Sequence, residues 1–288
     1  MNQRLTATAA TAVALAFALT ACSGSTDDTG TATSGVTVSH IHGLGLDPSD
    51  QRLYVATHEG VYTPDAQGRP TLVGDSKDDF MGFTVTGAKT FYASGHPTAG
   101  EGGPGNKGLI RSTDAGKSWQ SLSLSGESDF HALDHVHDTV YGYDATNGLL
   151  RTSKDGSSWT DGAAIEALDI TVSPQDRGLV LATTAGGVAR STDGGRTFAA
   201  AEQPVMAFLS WPTEQALYGI DTSGGLSRST DGGSTWQELG AVPGGGPQAL
   251  TAVDAKRVLA ATQNGVYESK DGGRSFTKRL DVEADGGH

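Results

Sequence analysis

Five copies of one octapeptide, set at nearly constant intervals, constrain this chain more than any other feature. The copies run Ser112–Trp119, Ser153–Trp159 (one residue shorter), Ser191–Phe198, Ser229–Trp236 and Ser269–Phe276, and their starts lie 41, 38, 38 and 40 residues apart. Each opens on a serine and places an aspartate two residues on: Asp114, Asp155, Asp193, Asp231 and Asp271. Four carry glycine at the fifth position (Gly116, Gly195, Gly233, Gly273), and all five close on an aromatic: Trp119, Trp159, Phe198, Trp236 and Phe276. This is the chemistry of a tight hairpin. The carboxylate accepts hydrogen bonds from backbone N–H groups ahead of it, glycine supplies positive φ, and the aromatic gives the turn something to bury. In-register repetition at a period near 40 points to a radial β repeat.

Between the octapeptides a second signal recurs: an apolar stretch, a turn, and another apolar stretch. In the first unit Ile41–Leu46 is followed by Asp47-Pro48-Ser49-Asp50, then Leu53–Thr57, then Gly60-Val61-Tyr62. Each unit thus offers three strands before the octapeptide turn and a fourth after it, the blade of a β-propeller. Six units begin near His40, Phe80, Phe130, Ala167, Val205 and Gln248. The fold class expected is all-β, a β-propeller of six four-stranded blades. Seven blades would require one split between residues 36–39 and 277–282. The first unit lacks the octapeptide and carries Thr63 to Arg69 in its place. The longest loop, Pro97 to Lys107, is rich in Gly and Pro, and loops of that length in compact domains are often functional. A content of 41 glycines suits short strands and tight turns, and no helical stripe exists beyond the N-terminus. A formal charge of −13 argues against nucleic acid as a partner, since phosphate contacts need clustered Lys and Arg.

The N-terminus accounts for the single cysteine. Met1 to Arg4 carries one positive charge, Leu5 to Ala18 is apolar, and Leu19-Thr20-Ala21-Cys22 resembles the lipobox of bacterial lipoproteins. That resemblance implies cleavage after residue 21 and lipidation of Cys22. Two acyl chains on one residue suffice for stable anchoring to a lipid bilayer. The expected organisation is a signal peptide over 1–21, the lipidated Cys and a flexible tether over 22–35, a single propeller over 36–282, and a disordered tail over 283–288. The domain would then work on the extracytoplasmic face of the cell membrane.

The octapeptides resemble the Asp-box, or BNR, repeat S-x-D-x-G-x-[ST]-[WF] of sialidases, xyloglucanases, sortilin-type domains and photosystem II assembly lipoproteins. The segments HIHGL, VATHEGVY, MGFTV, SGHP, GLIRSTD and DFHAL look like a narrower family of bacterial Asp-box lipoproteins, often labelled glycosyl hydrolase-like. The resemblance covers nearly all the mature chain. It implies the fold firmly and the activity hardly at all, because propellers host many unrelated functions.

In propellers the first strand of each blade lines the central channel. One rim carries the starts of the first strands and the second-to-third loops; the octapeptides lie on the other. Alignment of first strands places His42, Met81, His131, Leu168, Met206 and Gln248 at one equivalent position. Alignment of second-to-third loops places His58 and His96 together, with His40 two residues before His42, on the same strand face. His40, His42, His58, His96 and His131 are therefore expected on one rim with Met81, whereas His135 and His137 are not. Imidazole is the commonest metal ligand, and a His/Met set without thiolate favours copper, then zinc. Glu59, Asp79 and Asp129 sit beside these positions and could orient the rings.

Two other classes compete. A glycoside hydrolase needs two facing carboxylates, which Glu59, Asp79, Asp129 and Asp144 could supply. A sialidase also needs three arginines around a carboxylate. Here Arg111, Arg151, Arg190 and Arg228 each lead into an octapeptide, a regularity that reads as structural. The third class is a scaffold for an extracytoplasmic protein or glycan, for which Trp211, outside any octapeptide, would mark either a contact surface or packing between blades.

Overall fold

A computed structural model describes residues 38–100 and 102–282; the expected signal peptide, the expected lipidation site at Cys22 with its expected tether, and the tail 283–288 lie outside the described residues. The fold is a six-bladed β-propeller in which every blade is an antiparallel meander. Blade one holds β1 (Ile41–Leu46), β2 (Leu53–Thr57), β3 (Gly60–Pro64) and β4 (Pro70–Leu72), and blade two holds β5 (Asp79–Gly87), β6 (Thr90–His96), β7 (Leu109–Ser112) and β8 (Gln120–Ser123). Blade three holds β9 (Phe130–Val136), β10 (Thr139–Asp144), β11 (Leu149–Ser153) and β12 (Thr160–Ala164). In blade four only β13 (Ile170–Val172), β14 (Val180–Thr184) and β15 (Gly187–Ser191) form a continuous sheet, and the outer strand is reduced to a bridge between Val188 and Glu202. Blade five holds β16 (Phe208–Thr213), β17 (Ala216–Ile220), β18 (Gly225–Ser229) and β19 (Gln237–Ala241). Blade six holds β20 (Pro247–Ala252), β21 (Val258–Thr262), β22 (Gly265–Ser269) and β23 (Thr277–Asp281). Residues 277–281 are thus the outer strand of blade six, which leaves no seventh blade.

The octapeptides join third to fourth strands, and their serine and aspartate side chains bond back to the turn backbone. In each, the serine Oγ accepts a hydrogen bond from a glycine N–H, at 2.8 Å to Gly116, 2.9 Å to Gly156, 2.8 Å to Gly195, 2.7 Å to Gly233 and 2.8 Å to Gly273. The same hydroxyl donates to the aspartate, which in turn accepts from the N–H and hydroxyl of the next Ser or Thr, as Asp193 does from Thr197 at 3.0 and 2.7 Å. Those bonds hold the Asp193 carboxyl well below the usual carboxylate range. Gly195 has φ +86°, and a side chain there would run into Leu150 of the blade before. In blade one Asp65 does the equivalent work, accepting from the N–H of Gln67 at 2.8 Å and of Arg69 at 2.9 Å.

Each inner strand from blade three to blade six is tied to the blade before it by a backbone N–H bonded to a side chain of that blade. Ser94 Oγ takes the Phe130 N–H at 3.0 Å, Asp134 the Val172 N–H at 2.9 Å, Asp169 the Leu209 N–H at 2.8 Å, and Ser210 the Ala252 N–H at 2.8 Å. The ring closes without a shared strand: Thr251 donates to the Leu44 carbonyl at 2.9 Å, and one apolar core joins Val38, Leu44 and Val55 to Leu259 and Leu280. Trp211 is buried against Leu181 and Leu217, so it serves packing between blades four and five rather than a surface. The third-strand arginines are structural: Arg151 bridges Asp144 and Asp161 at 2.9 Å each, and Arg190 donates to the Gly232 carbonyl of the next blade at 2.6 Å.

Two outcomes follow from these ties. Ser191→Ala leaves the buried Gly195 N–H without a partner and should destabilise the fold by about 1–3 kcal/mol in chemical unfolding. Burial in the channel wall pushes the Asp169 carboxyl up to about 7. The folded state therefore holds its proton longer than the unfolded chain, and stability falls as pH rises from 4 to 7. Asp169→Asn, which keeps an acceptor for Leu209, should flatten that decline in unfolding measured across this range.

Candidate metal centre

The rim opposite the octapeptides is built from the starts of the inner strands and the second-to-third turns of blades one to three. Local irregularities aim its side chains. The β1–β2 register slips between Ile41 and Gly43, β5–β6 between Phe80 and Phe83, and β20–β21 between Pro247 and Ala249. In blade three Tyr143 pairs with Ala132 while Asp144 pairs with Phe130, so the slip falls on β9. His42, Met81, His131 and Gln248 occupy those slips, and a β-bulge is a common device for re-aiming a side chain. His40, one residue before β1, has φ +43°, an uncommon conformation for a non-glycine residue. Gly95, with φ +146°, lies where a side chain would run into the Asp79 carbonyl, and this closeness sets Asp79 opposite His96.

Two carboxylate-centred groups result. In the first, His42 Nε2 lies 3.4 Å from His58 Nδ1 and 3.8 Å from Asp79 Oδ1, and His58 Nδ1 lies 2.9 Å from the same oxygen. These three donor atoms fall within 4.8 Å of one another. Asp79 Oδ1 is buried, and the His58 approach is too poorly aligned to count as a hydrogen bond, so the oxygen is unpaired. The His42 and His58 rings meet edge to face at 4.4 Å, and His40 packs on the far side of His58 at 5.1 Å. In the second group, His131 Nε2 and His96 Nε2 face Asp129 Oδ2 at 2.7 and 3.3 Å. Met81 is half-buried on β5, two residues beyond Asp79. Glu59 is turned away to accept from Ser39 Oγ at 2.9 Å.

The aligned positions in the other blades do not reach the rim as polar groups. Met206 is buried in the core of blade five, because the chain before β16 packs inward, and Leu168 is an exposed apolar side chain. Gln248 is used in ring closure, accepting from the Ile41 N–H at 3.2 Å. His135 meets Tyr92 edge to face and His137 bonds the Ser173 carbonyl at 2.9 Å, both at the other end of β9. The role of Asp79 exceeds what spacing suggested. Its oxygen is a third donor within the cluster, a position visible only once β5 of the next blade is placed beside β1.

Electrostatics on this rim favour cations. Among the described residues of its connections, Lys77 and Lys107 are the only Lys or Arg side chains, and Lys107 is tied to Asp78 at 2.8 Å. Burial, with the neighbouring His58, His40 and His131, pulls His42 down to about 3, so its imidazole is neutral and free to offer a lone pair. The hydrogen bond to Asp129 holds His131 above the usual histidine range. His42 and His131 both line the mouth of the central channel, a cavity of about 460 Å³.

No family model matches the chain, and no curated protein is similar to it in sequence. Solved structures share the fold. The GH74 enzyme of Niastella koreensis is 18% identical with a TM-score of 0.60, covering 85% of this chain and 46% of that one. YCF48 from Cyanidioschyzon merolae is 15% identical with a TM-score of 0.51, and virginiamycin B lyase from Staphylococcus aureus 11% identical with 0.58; each alignment covers 86% of this chain and 88% of the other. This chain spans a little under half the length of the GH74 enzyme. At these identities the likeness defines a β-propeller and nothing finer.

A histidine NMR titration of the metal-free protein should find His42 unprotonated down to pH 4, while His131 protonates above the ordinary 6.5.

Proposed function

We propose that this protein is a lipid-anchored, extracytoplasmic propeller of the Asp-box type that binds a transition-metal ion on the rim opposite its octapeptides. The ligands are His42 Nε2, His58 Nδ1 and Asp79 Oδ1, and the lipid on Cys22 would hold the domain at the bilayer. The observation that carries this reading is the gathering of three donor atoms within 4.8 Å around a buried carboxylate oxygen with no hydrogen bond. A buried carboxylate oxygen without a partner is costly, and a bound cation would satisfy it. Three protein ligands leave a fourth position open for water, a further ligand or a substrate atom.

A carboxylate as the third donor changes the choice of metal. With Met81 as a ligand, copper(I) would be favoured; two imidazoles and a carboxylate suit zinc or copper(II). His40, packed on His58, is the nearest additional imidazole. The hydrolase reading has less support, because Asp79 and Asp129, two of its four candidate carboxylates, face imidazoles rather than each other. The scaffold reading keeps its place through the fold alone, which a chain of the nidogen/laminin complex shares at a TM-score of 0.60.

Apo protein titrated with zinc or copper(II) should gain thermal stability. His58→Gln and Asp79→Asn should each weaken binding at this site more than about tenfold, since even a group that only orients a ligand is worth that much. A melting temperature indifferent to both ions, or variants that bind as the parent does, would overturn the proposal.

A further inference from the structure

Next to the three donor atoms of the first group, a buried carboxylate fixes the tautomer of a histidine. Asp129 is 5% exposed, and its Oδ2 accepts a hydrogen bond from His131 Nε2 at 2.7 Å. Nε2 therefore carries the proton, and in the neutral ring Nδ1 carries the lone pair. Among the described residues nothing bonds that Nδ1. The side chain is 38% exposed and lines the mouth of the central channel, as His42 does. His96, the other ring beside Asp129, has Nδ1 on the Gly105 carbonyl at 3.0 Å and Nε2 towards the carboxylate at 3.3 Å, so neither of its nitrogens is open. An imidazole held at one nitrogen by a buried carboxylate and open at the other is equipped as a general base. No side-chain hydroxyl or thiol meets it, so the group it would act on is water.

The inner strands close up at this level. A side chain on Gly43 would run into Phe83, and one on Gly82 into the Phe130 carbonyl, so β5 with its Asp79 is pressed between the strands that carry His42 and His131. The two groups lie within each other's field. The bond to Asp129 raises His131 and the Asp79 charge adds to the rise, while His131 is among the groups that, after burial, lower His42. The wall of the cavity is largely apolar, with Leu133, Leu168 and Phe208 in its lining. Leu168 is 54% exposed, one of two exposed large apolar side chains among the described residues. No Lys or Arg lines the cavity, so a phosphate ester would find no cationic side chain to hold it. An uncharged substrate with an apolar part fits this wall better.

We propose that His131, positioned by Asp129, is the general base of a centre at the channel mouth that hydrolyses uncharged carboxylic esters. The proposal rests on the metal-site reading, which supplies the open position where a water is held and polarised. That water gives one proton to His131 Nδ1 while its oxygen bonds to the carbonyl carbon of the ester. The C–O bond to the alcohol then breaks, and the departing oxygen takes the proton back from Nδ1. One water is consumed, and one carboxylic acid and one alcohol leave. Asp129 does not meet the substrate; it keeps the other ring proton on Nε2, so that Nδ1 stays an acceptor.

The probe is phenyl butyrate, with phenol release followed on the zinc-loaded full chain and zinc per chain counted separately after equilibrium dialysis. Circular dichroism and melting confirm that each variant is folded. His131→Gln should lower kcat by about a hundredfold or more with KM and bound zinc unchanged, the range expected for loss of a general base. Added imidazole should restore part of the rate to His131→Gly. Asp129→Asn should also lower kcat at unchanged KM and zinc content, because its amide can donate to Nε2 and so leave the proton on Nδ1. A merely structural role for Asp129 would lower the melting temperature and leave kcat per folded chain as it was. His58→Gln should lose zinc and turnover together. A parent that binds zinc but releases no phenol, or His131→Gln with the parent's kcat, overturns the base and leaves the metal site standing. Equal turnover with and without zinc also overturns the proposed centre. A parent that binds no zinc overturns both readings.

Discussion

The fold depends on one recurring hydrogen bond, from a glycine N–H to the serine hydroxyl that opens each octapeptide. Its length barely varies among the five copies, 2.7–2.9 Å, because the geometry of the turn leaves little freedom. The bond brings the glycine back beneath the serine, and the glycine then presents a face without a side chain to the preceding blade. Leu150 occupies that space at Gly195, and Leu226 does so at Gly273. The turn is thus also the place where one blade locks to its neighbour. A local backbone interaction, repeated every 40 residues or so, becomes the long-range packing of a ring.

A ring made this way must still close between its first and last members. Many sheets manage an edge by pairing it, but here each blade is continuous in sequence and none borrows a strand from the other terminus. Closure rests on side chains instead. Thr251 reaches the Leu44 carbonyl, Gln248 the Ile41 amide, and Arg257 the Gln51 side chain, above the apolar core shared by blades one and six. The Gln248 bond falls one residue from His42. The element that closes the ring therefore also fixes the start of β1, which carries His42 and directly follows His40.

The repeat was legible in the sequence because period and turn chemistry are local properties. The count of six blades and the assignment of octapeptides to third-to-fourth turns needed only spacing and residue type. What spacing could not give was depth across the ring. Met206 aligns with His42 along the chain, but the segment before β16 packs inward and buries it. Trp211 lies near the end of β16 and is covered by leucines more than 25 residues distant in sequence on one side. Asp79 could be read as a neighbour of the histidines, but its approach to His58 depends on the close passage of β5 and β6 at Gly95. The channel carboxylates Asp134 and Asp169 left no signal at all, since an aspartate in a strand looks the same whether it faces solvent or an amide of the next blade.

The two ends of the inner strands are governed by different rules, and that difference places the candidate chemistry. At the octapeptide end the turn hydroxyls and carboxylates are committed, serine to glycine and aspartate to the next Ser or Thr, and the buried atoms left unpaired there are donors such as Arg111 Nε and Trp236 Nε1 rather than carboxylates. At the other end the register slips in blades one, two, three and six, turning His42, Met81, His131 and Gln248 out of the regular pleat. There the polar atoms are left over, with Asp79 and Asp129 each keeping a buried oxygen unpaired. Regular strands would have put these residues in the channel wall or the blade interface and satisfied them. The bulges cost ladder hydrogen bonds, and the gain is His42 facing Asp79 of the following blade and His131 facing Asp129 of its own. A repeat protein that is uniform at one end of its strands and irregular at the other concentrates its specificity where the repeat breaks.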